Sequence, residues 1–526
     1  MSRTTERVEK IIVVGGGSAG WMSAAYLMKA TNFQTTVQLI ESPNIPRIGV
    51  GEATLPSIKE QLFDFLEIPE EVWMPKCNAT YKMGIKFVNW RLSPEQGGDK
   101  YYHIFGEMPS LEGFPLSQIW YDLKRQGLDK PLDYACHTSP YLCDNFKSPK
   151  YLDGKSAVHA AYHFDASLIA DFLKNWCLEK GVSYIQDDLL SAEQAENGDI
   201  EYVIGAEGDK YAADLFIDCT GFRGFLIDEV LNEPKISFSK SLLNNSAVAI
   251  NVPNNGDTDI PPYTSATAMT TGWTWETPLK DRKGNGYVYS NDFQSAEDAE
   301  KELRQLLGPK SDGINARHVK FESARRRRSW VNNCVSIGLA SSFLEPLEST
   351  GLYFVYAALY QLAEHFPTKS MSPALRDKFN AKISYMVDDV RDFIVLHFCT
   401  SPREDTAYWR ANKYDLEISD SLQGILDLQK AGIPIKRTYR SNEALYTSFE
   451  AAFDRFWTNS NYQSILAGVD YMPEMTTPML NYYPDIFGRA QDVISQVEAE
   501  SKELMDKLPS HYEYLETLAK PALQGT

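Results

Sequence analysis

The chain has no Cys-x-x-Cys, and its seven cysteines, from Cys77 to Cys399, are odd in number and widely spaced. That argues against a zinc site and against a disulfide framework. Reduced thiols in a cytoplasm are the expectation. The eight histidines are equally scattered and form no metal-ligand pair, so no metal is expected. No apolar stretch approaches the ~20 residues that a membrane span needs. The opening MSRTTERVEK has no apolar signal-peptide core. Basic residues are in deficit, 52 against 71 acidic, for a formal net charge of −19. That balance argues against nucleic acid and against an anionic membrane surface as partners. Arg325-Arg326-Arg327-Arg328 runs against the trend and reads as a solvated strand, with one arginine near a cofactor phosphate. Internal repeats, low-complexity tracts and linker-like stretches are also lacking, so one compact unit is expected.

What is present begins at the first forty residues. Ile11-Ile12-Val13-Val14 is a short β-branched run that reads as a buried strand. Gly15-Gly16-Gly17-Ser18-Ala19-Gly20 follows at once, giving G-x-G-x-x-G at Gly15, Gly17 and Gly20. Helix formers run from Ala19 to Ala30, Thr36 to Ile40 is a second strand, and Glu41 closes it. Glycines let backbone N–H groups approach a pyrophosphate, the helix N-terminus favours its charge, and the acid bonds a ribose hydroxyl. The unit predicts dinucleotide binding. Pro43 to Thr54 (PNIPRIGVGEAT) is a Gly- and Pro-rich loop long enough to move over a bound cofactor.

Further along, Ala166 to Glu179 reads as a helix, and Asn197-Gly198 marks a hairpin turn between Ala192 and Tyr202. Leu215 to Gly221 and Val335 to Leu339 read as buried strands ending in glycine turns. Most of the chain from Tyr353 onward reads helical. The order predicts an α/β fold with a helical C-terminal part. Trp273 and Trp275, at strand spacing in Gly272-Trp273-Thr274-Trp275-Glu276-Thr277-Pro278, face one side. They either line a barrier or aromatic pocket, or pack as a core pair.

Taken together, GGGSAGW, IPRIGVGEAT, IKFVNW at Ile85 to Trp90, YHFDA at Tyr162 to Ala166 and DCTGFRG at Asp218 to Gly224 resemble the flavin-dependent tryptophan halogenases. So do W-x-W-x-x-P, VNNCVSIGL at Val331 to Leu339, FLEPLESTG at Phe343 to Gly351 and YAALYQL at Tyr356 to Leu362. The family hallmark is W-x-W-x-I-P, and Thr277 stands here at the isoleucine position. The resemblance implies a Rossmann-like FAD-binding module of the glutathione-reductase and aromatic-hydroxylase type. Residues 1–350 would form it, with a substrate-side sheet and loops inserted at about 80–160 and 230–330. Residues 351–526 would be the mostly helical substrate-binding part.

The implied reaction is regioselective halogenation of tryptophan or another indole. It uses reduced FAD, O2 and chloride or bromide, and hypohalous acid travels through a tunnel to a lysine. By resemblance that lysine is Lys82, which either hydrogen-bonds the oxidant or becomes a haloamine. Glu348 is the matching acid, suited to stabilise the cationic ring intermediate and accept its proton. The cofactor set is Gly15, Gly17, Ser18, Ala19, Gly20, Glu41, Ala53, Leu189, Leu339, Pro346 and Leu352. Thr350 and Gly351 are the halide turn. His103, Phe105, Tyr446, Phe456 and Trp457 line the substrate pocket. Where the family grips the amino-acid end of free tryptophan, this chain has Leu445, Tyr446 and Ala452, with Glu450 nearby. One tyrosine and one acid are thus missing, and a simpler indole rivals free tryptophan.

A single dinucleotide fingerprint implies that a separate flavin reductase supplies the reduced FAD. A homodimer is the oligomeric expectation. An aromatic hydroxylase on the same scaffold and a non-catalytic flavoprotein are the alternatives; the retained Lys82, Glu348 and halide turn speak against both.

Overall fold

The computed structural model describes residues 6–45, 49, 51–435 and 456–522. β1 (Lys10–Val14) enters the glycine loop, α1 (Ser18–Ala30) leaves it, and β2 (Thr36–Glu41) returns parallel to β1. β1 is flanked on its other side by Leu215–Asp218, also parallel. The full sheet runs Ser183–Gln186, β2, β1, Leu215–Asp218, Cys334–Ser336, Trp330–Val331. Only the last pairing is antiparallel. A parallel sheet covered on both faces demands apolar residues at every position. β1 meets that demand: Ile11 and Val13 join one core, Ile12 and Val14 the other. Expected element bounds hold closely here. The helix Ala166–Glu179 ends where the sequence placed it, capped by Asp165, whose Oδ1 accepts from Ser167 N and Leu168 N. The Asn197-Gly198 hairpin joins Ser191–Gln194 to Ile200–Ile204.

One strand is shorter than expected. Of Val335 to Leu339, only Val335 and Ser336 lie in a strand, Cys334–Ser336. Gly338 takes φ +68°, and the chain turns into a short 3-10 helix at Gly338–Ala340. A left-handed glycine ends a ladder that apolar content alone would have extended.

A small antiparallel sheet places Ala161–Phe164 between Glu52–Ala53 and β3 (Thr80–Lys82). One residue, Met83, separates β3 from Gly84–Val88 of a seven-stranded sheet. That sheet runs Arg317–Lys320, Ser246–Pro253, Arg282–Tyr289, Gly272–Pro278, Thr264–Ala268, Gly84–Val88, β4 (Lys100–Ile104). The C-terminal part is helical, as expected. α2 (Gly351–Glu364) packs on α1, and α3 (Pro373–Cys399) packs on α2. α4 (Asn459–Gly468) packs on β4. α5 (His511–Ala522) reaches back towards β3 through His511. No helix among the described residues is long and apolar enough to cross a membrane.

The four arginines are only partly the solvated strand expected: Arg327 and Arg328 are exposed, but Arg325 and Arg326 lie in a short strand, Arg326 is buried, and all four are paired. Arg325 makes a two-pronged pair with Asp388. Arg326 is buried and donates to the Glu233 and Ala340 carbonyls and to Asp228. Arg327 and Arg328 share the carboxylate of Glu233. Such forks hold loops together and need no external anion.

The glycine loop gives a stability test. A Cβ on Gly20 would lie 1.8 Å from the Gly15 carbonyl oxygen, whereas one on Gly17 meets nothing within 4 Å. Gly20→Ala should therefore lower the urea midpoint, by about 1–3 kcal/mol of stability. Gly17→Ala should leave it unchanged. Equal midpoints for the two variants would contradict the close packing of this turn.

Candidate active site

The dinucleotide cradle is built from backbone. Gly15 takes φ +112° and donates its N–H to Ile40 O; a Cβ there would meet Cys219 O at 2.4 Å. Gly17 caps α1 and has no side chain to bond the N–H groups of the first turn. Nothing fills the space in front of Gly17. An uncapped helix start with open space before it suits a pyrophosphate. Glu41 lies over Gly16 at the end of β2, accepting from Tyr184 Oη at 2.9 Å with Lys174 Nζ at 3.8 Å. The donor set fits an adenine dinucleotide. Ser18 Oγ is spent on Ala166 O, so that residue can offer a ligand its backbone but not its hydroxyl proton. Ala19 packs against Gly338, Leu189 and Leu352 are buried, and Ala53 and Leu339 are half-buried.

The segment Leu344–Gly351 alternates in an informative way. Leu344, Glu345, Leu347, Glu348, Ser349 and Thr350 are buried, yet Pro346 and Gly351 are exposed. Ser349 is held at φ +59°, outside the usual region for a side-chain-bearing residue. Thr350 caps α2 without using its hydroxyl, and its buried Oγ1 has no partner. A free hydroxyl beside an uncapped helix start has the donors that an anion seat requires.

Lys82 ends β3 and is fully buried. Its Nζ donates to Ser349 Oγ at 2.7 Å and Thr54 O at 3.1 Å and sits 5.0 Å from the centre of the Phe105 ring. Burial pulls its pKa down to about 7, against the opposing pull of Glu348. β3 is fixed from far away, since Tyr81 N donates to His511 Nε2 on α5.

Glu348 is likewise buried, at 1 % exposure. His103 Nδ1 on β4 lies 2.9 and 3.1 Å from its two oxygens, and His397 Nε2 on α3 lies 2.8 Å from Oε1. Burial alone would raise this carboxyl, but His103 and His397 outweigh it and hold the pKa at about 2. Glu345, three residues earlier, goes the other way. Burial pushes it up to about 7, although Trp273 Nε1 and Asn244 Nδ2 both donate to its Oε2. Trp273 is therefore a buried member of the W-x-W motif with a defined partner, and Trp275 is half-buried over Gly286.

Aromatic rings complete the cluster. Trp457 stacks on Phe393 at 3.8 Å between ring centres and lies 6.3 Å from His103, and Phe456 stacks on Tyr353 at 4.2 Å. The structure thus brings Lys82, Glu348, His103, Phe105, Thr350 and Trp457 into one connected cluster. Tyr446 lies outside the described residues, as do Leu445, Glu450 and Ala452. Sequence reasoning missed His397, Phe393, Ser349 and Asn461. His397 sits in Phe393-Ile394-Val395-Leu396-His397-Phe398-Cys399, which reads as core helix. The available signal was a histidine on the buried stripe of a long helix.

A dinucleotide cradle and a buried amine and carboxylate walled by aromatic rings define the class: a flavin-dependent halogenase, an enzyme. Residues 10–485 match the tryptophan halogenase family, and the chain belongs to it. It is 45% identical to the tryptophan 7-halogenase RebH of Lentzea aerocolonigenes, over 97% of this chain and 98% of that protein. It is 42% identical to the tryptophan 6-halogenase ThaL of Streptomyces albogriseolus, over 97% and 99%. The crystal structure of the tryptophan 6-halogenase SttH from Streptomyces toxytricini superposes with a TM-score of 0.88 at 38% identity, covering 97% and 99% of the two chains. The family resemblance and the α/β fold with a helical C-terminal part are both borne out.

The buried lysine gives a pH test. Above about pH 7 the folded chain releases the Lys82 proton, while the unfolded chain keeps it to about 10.5. The unfolded state then binds more protons, so stability rises with pH across that window. Relative to Lys82→Met, the parent should gain about 1.4 kcal/mol per pH unit between pH 7 and pH 9. Urea unfolding at three pH values measures it; parallel curves for the two proteins would show that the amine is not buried as described.

Proposed function

We propose that this chain halogenates tryptophan, using reduced FAD, O2 and chloride or bromide, with hypohalous acid delivered to Lys82. The carrying observation is a buried amine bonded to the residue next to a buried carboxylate: Lys82 bonds Ser349, and Glu348 precedes it. The high similarity to tryptophan 6- and 7-halogenases supports the substrate.

FAD, when bound, supplies the oxidising chemistry with O2 and halide. The backbone of Gly15 to Gly20 would hold its pyrophosphate and Glu41 its ribose. Ala53, Leu189, Leu339, Pro346 and Leu352 would line the rest of its site. A separate flavin reductase delivers it reduced. Thr350 and Gly351 seat the halide at the start of α2. Lys82 receives the oxidant where burial excludes water, and with two ammonium hydrogens bonded to Ser349 and Thr54 it presents one remaining hydrogen to the oxidant. Phe105 lies against the amine, and His103, Phe456 and Trp457 hold the indole plane. Attack of the ring on the halogen of hypohalous acid breaks the halogen–oxygen bond and leaves a ring cation, the departing hydroxide taking a proton from the Lys82 ammonium to leave as water. Glu348, ionised at neutral pH, stabilises that cation and takes the ring proton.

The assay supplies FAD, a flavin reductase, NADH and chloride or bromide, with tryptophan and simple indoles side by side, and reads products by mass spectrometry. Halogenated tryptophan is expected. Halogenation of simple indoles with none of tryptophan would overturn the substrate, and hydroxylated products would overturn the reaction. Lys82→Ala should bind FAD normally and give no halogenated product; undiminished product would remove the lysine from the mechanism. Glu348→Gln should lower turnover about a hundredfold, the scale of a lost general base. A rate within about twofold of the parent would contradict its assignment.

A further inference from the structure

The hydrogen bonds around Glu348 determine which atoms carry protons. His397 Nδ1 lies 2.7 Å from Phe393 O, one turn earlier on α3. A carbonyl only accepts, so Nδ1 carries a hydrogen. His103 resolves differently. Asn461 Oδ1 accepts from Thr458 N at 2.8 Å and Thr458 Oγ1 at 3.0 Å, in the cap of α4. Its Nδ2 therefore faces His103 Nε2, at 2.9 Å, and donates to it. His103 is thus a neutral imidazole with its hydrogen on Nδ1, donated to Glu348.

One contact remains, His397 Nε2 to Glu348 Oε1 at 2.8 Å. Two proton arrangements give that distance: imidazolium to carboxylate, or carboxylic acid to neutral imidazole. Oε1 also lies 3.1 Å from His103 Nδ1, an N–H donor, and the Lys82 charge acts on the same carboxyl. A carboxyl that accepts from an N–H donor beside a cation is stabilised as the anion. The groups facing it are Lys82 from β3, His103 and Tyr101 from β4 and His397 from α3.

We propose that His397 is a doubly protonated imidazolium that holds Glu348 as a carboxylate, making it a positioning residue for the proton-accepting step. Its ring is tethered to the turn whose Phe393 stacks on Trp457, so one turn of α3 carries both the counter-charge and part of the aromatic wall. The charge state rests on these contacts and on the charge of Lys82, independently of any catalytic role; the positioning role rests on the reading of Glu348 as the proton acceptor.

The test uses the full-length, FAD-loaded protein with 15N-labelled histidine at pH 7. His397 is assigned by the signal lost in His397→Gln or His397→Asn. Both ring nitrogens of His397 should be protonated in the parent, and only one in Glu348→Gln. A neutral His397 in the parent overturns the proposal, whether or not the variants fold and whatever the substrate. The kinetic arm follows kcat/KM for tryptophan against pH. His397→Gln keeps a hydrogen bond but no charge, so Glu348 becomes easier to protonate. The acid limb should move up by about one pH unit, with kcat reduced and KM near the parent value. An unmoved acid limb in a folded, FAD-binding variant removes the positioning role while leaving the halogenase reading intact.

Discussion

Everything at this site depends on keeping an ammonium and a carboxylate away from water without letting either collapse onto the other. Isolated buried charges are costly, and breaking such an arrangement by removing one partner typically costs about 3–5 kcal/mol. Here the cost is distributed. Lys82 spends two donors on Ser349 and Thr54, and Glu348 is met by two histidines from different elements. The lysine has no hydrogen bond to the carboxylate. In the proposed reaction the amine thereby keeps reactivity that a direct ion pair would quench, and the carboxylate stays available as proton acceptor.

The short segment from Glu345 to Glu348 shows how environment separates two like groups. Glu345 sits among Trp273 and Asn244, with no cation near, and is pushed up to about 7; Glu348 sits between imidazoles and is held at about 2. The first binds the tryptophan motif to the turn. The second is met by His103 and His397. Trp273 is tied to Glu345 through this bond; a phenylalanine would be smaller and would leave Glu345 with one donor fewer.

Much of this was legible in the chain. The strand, glycines, helix and acid of the first forty residues map directly onto β1, α1 and β2, since each obeys a local rule. Lys82 and Glu348 were legible only through family resemblance. No local rule marks a lysine at the end of a three-residue strand or an acid in a turn, and their proximity is a property of the whole fold. His397 was hidden for a related reason: an apolar helix stripe masks a polar member whose partner comes from elsewhere. The arginine run misled in part: four adjacent cations look solvated until Glu233, Asp228 and Asp388 arrive from distant segments. The strand at Cys334–Ser336 ended early because apolar content cannot report a backbone torsion.

The bond between Tyr81 N and His511 Nε2 spans 430 positions. During synthesis the strand that bears Lys82 can pair with Ala161–Phe164 early but waits for the last described helix before its Tyr81 N–H finds its acceptor. The surroundings of Lys82 are consequently among the final parts to be locked in place, and a polypeptide cut short before residue 511 leaves that strand with an unanswered donor one residue from the lysine.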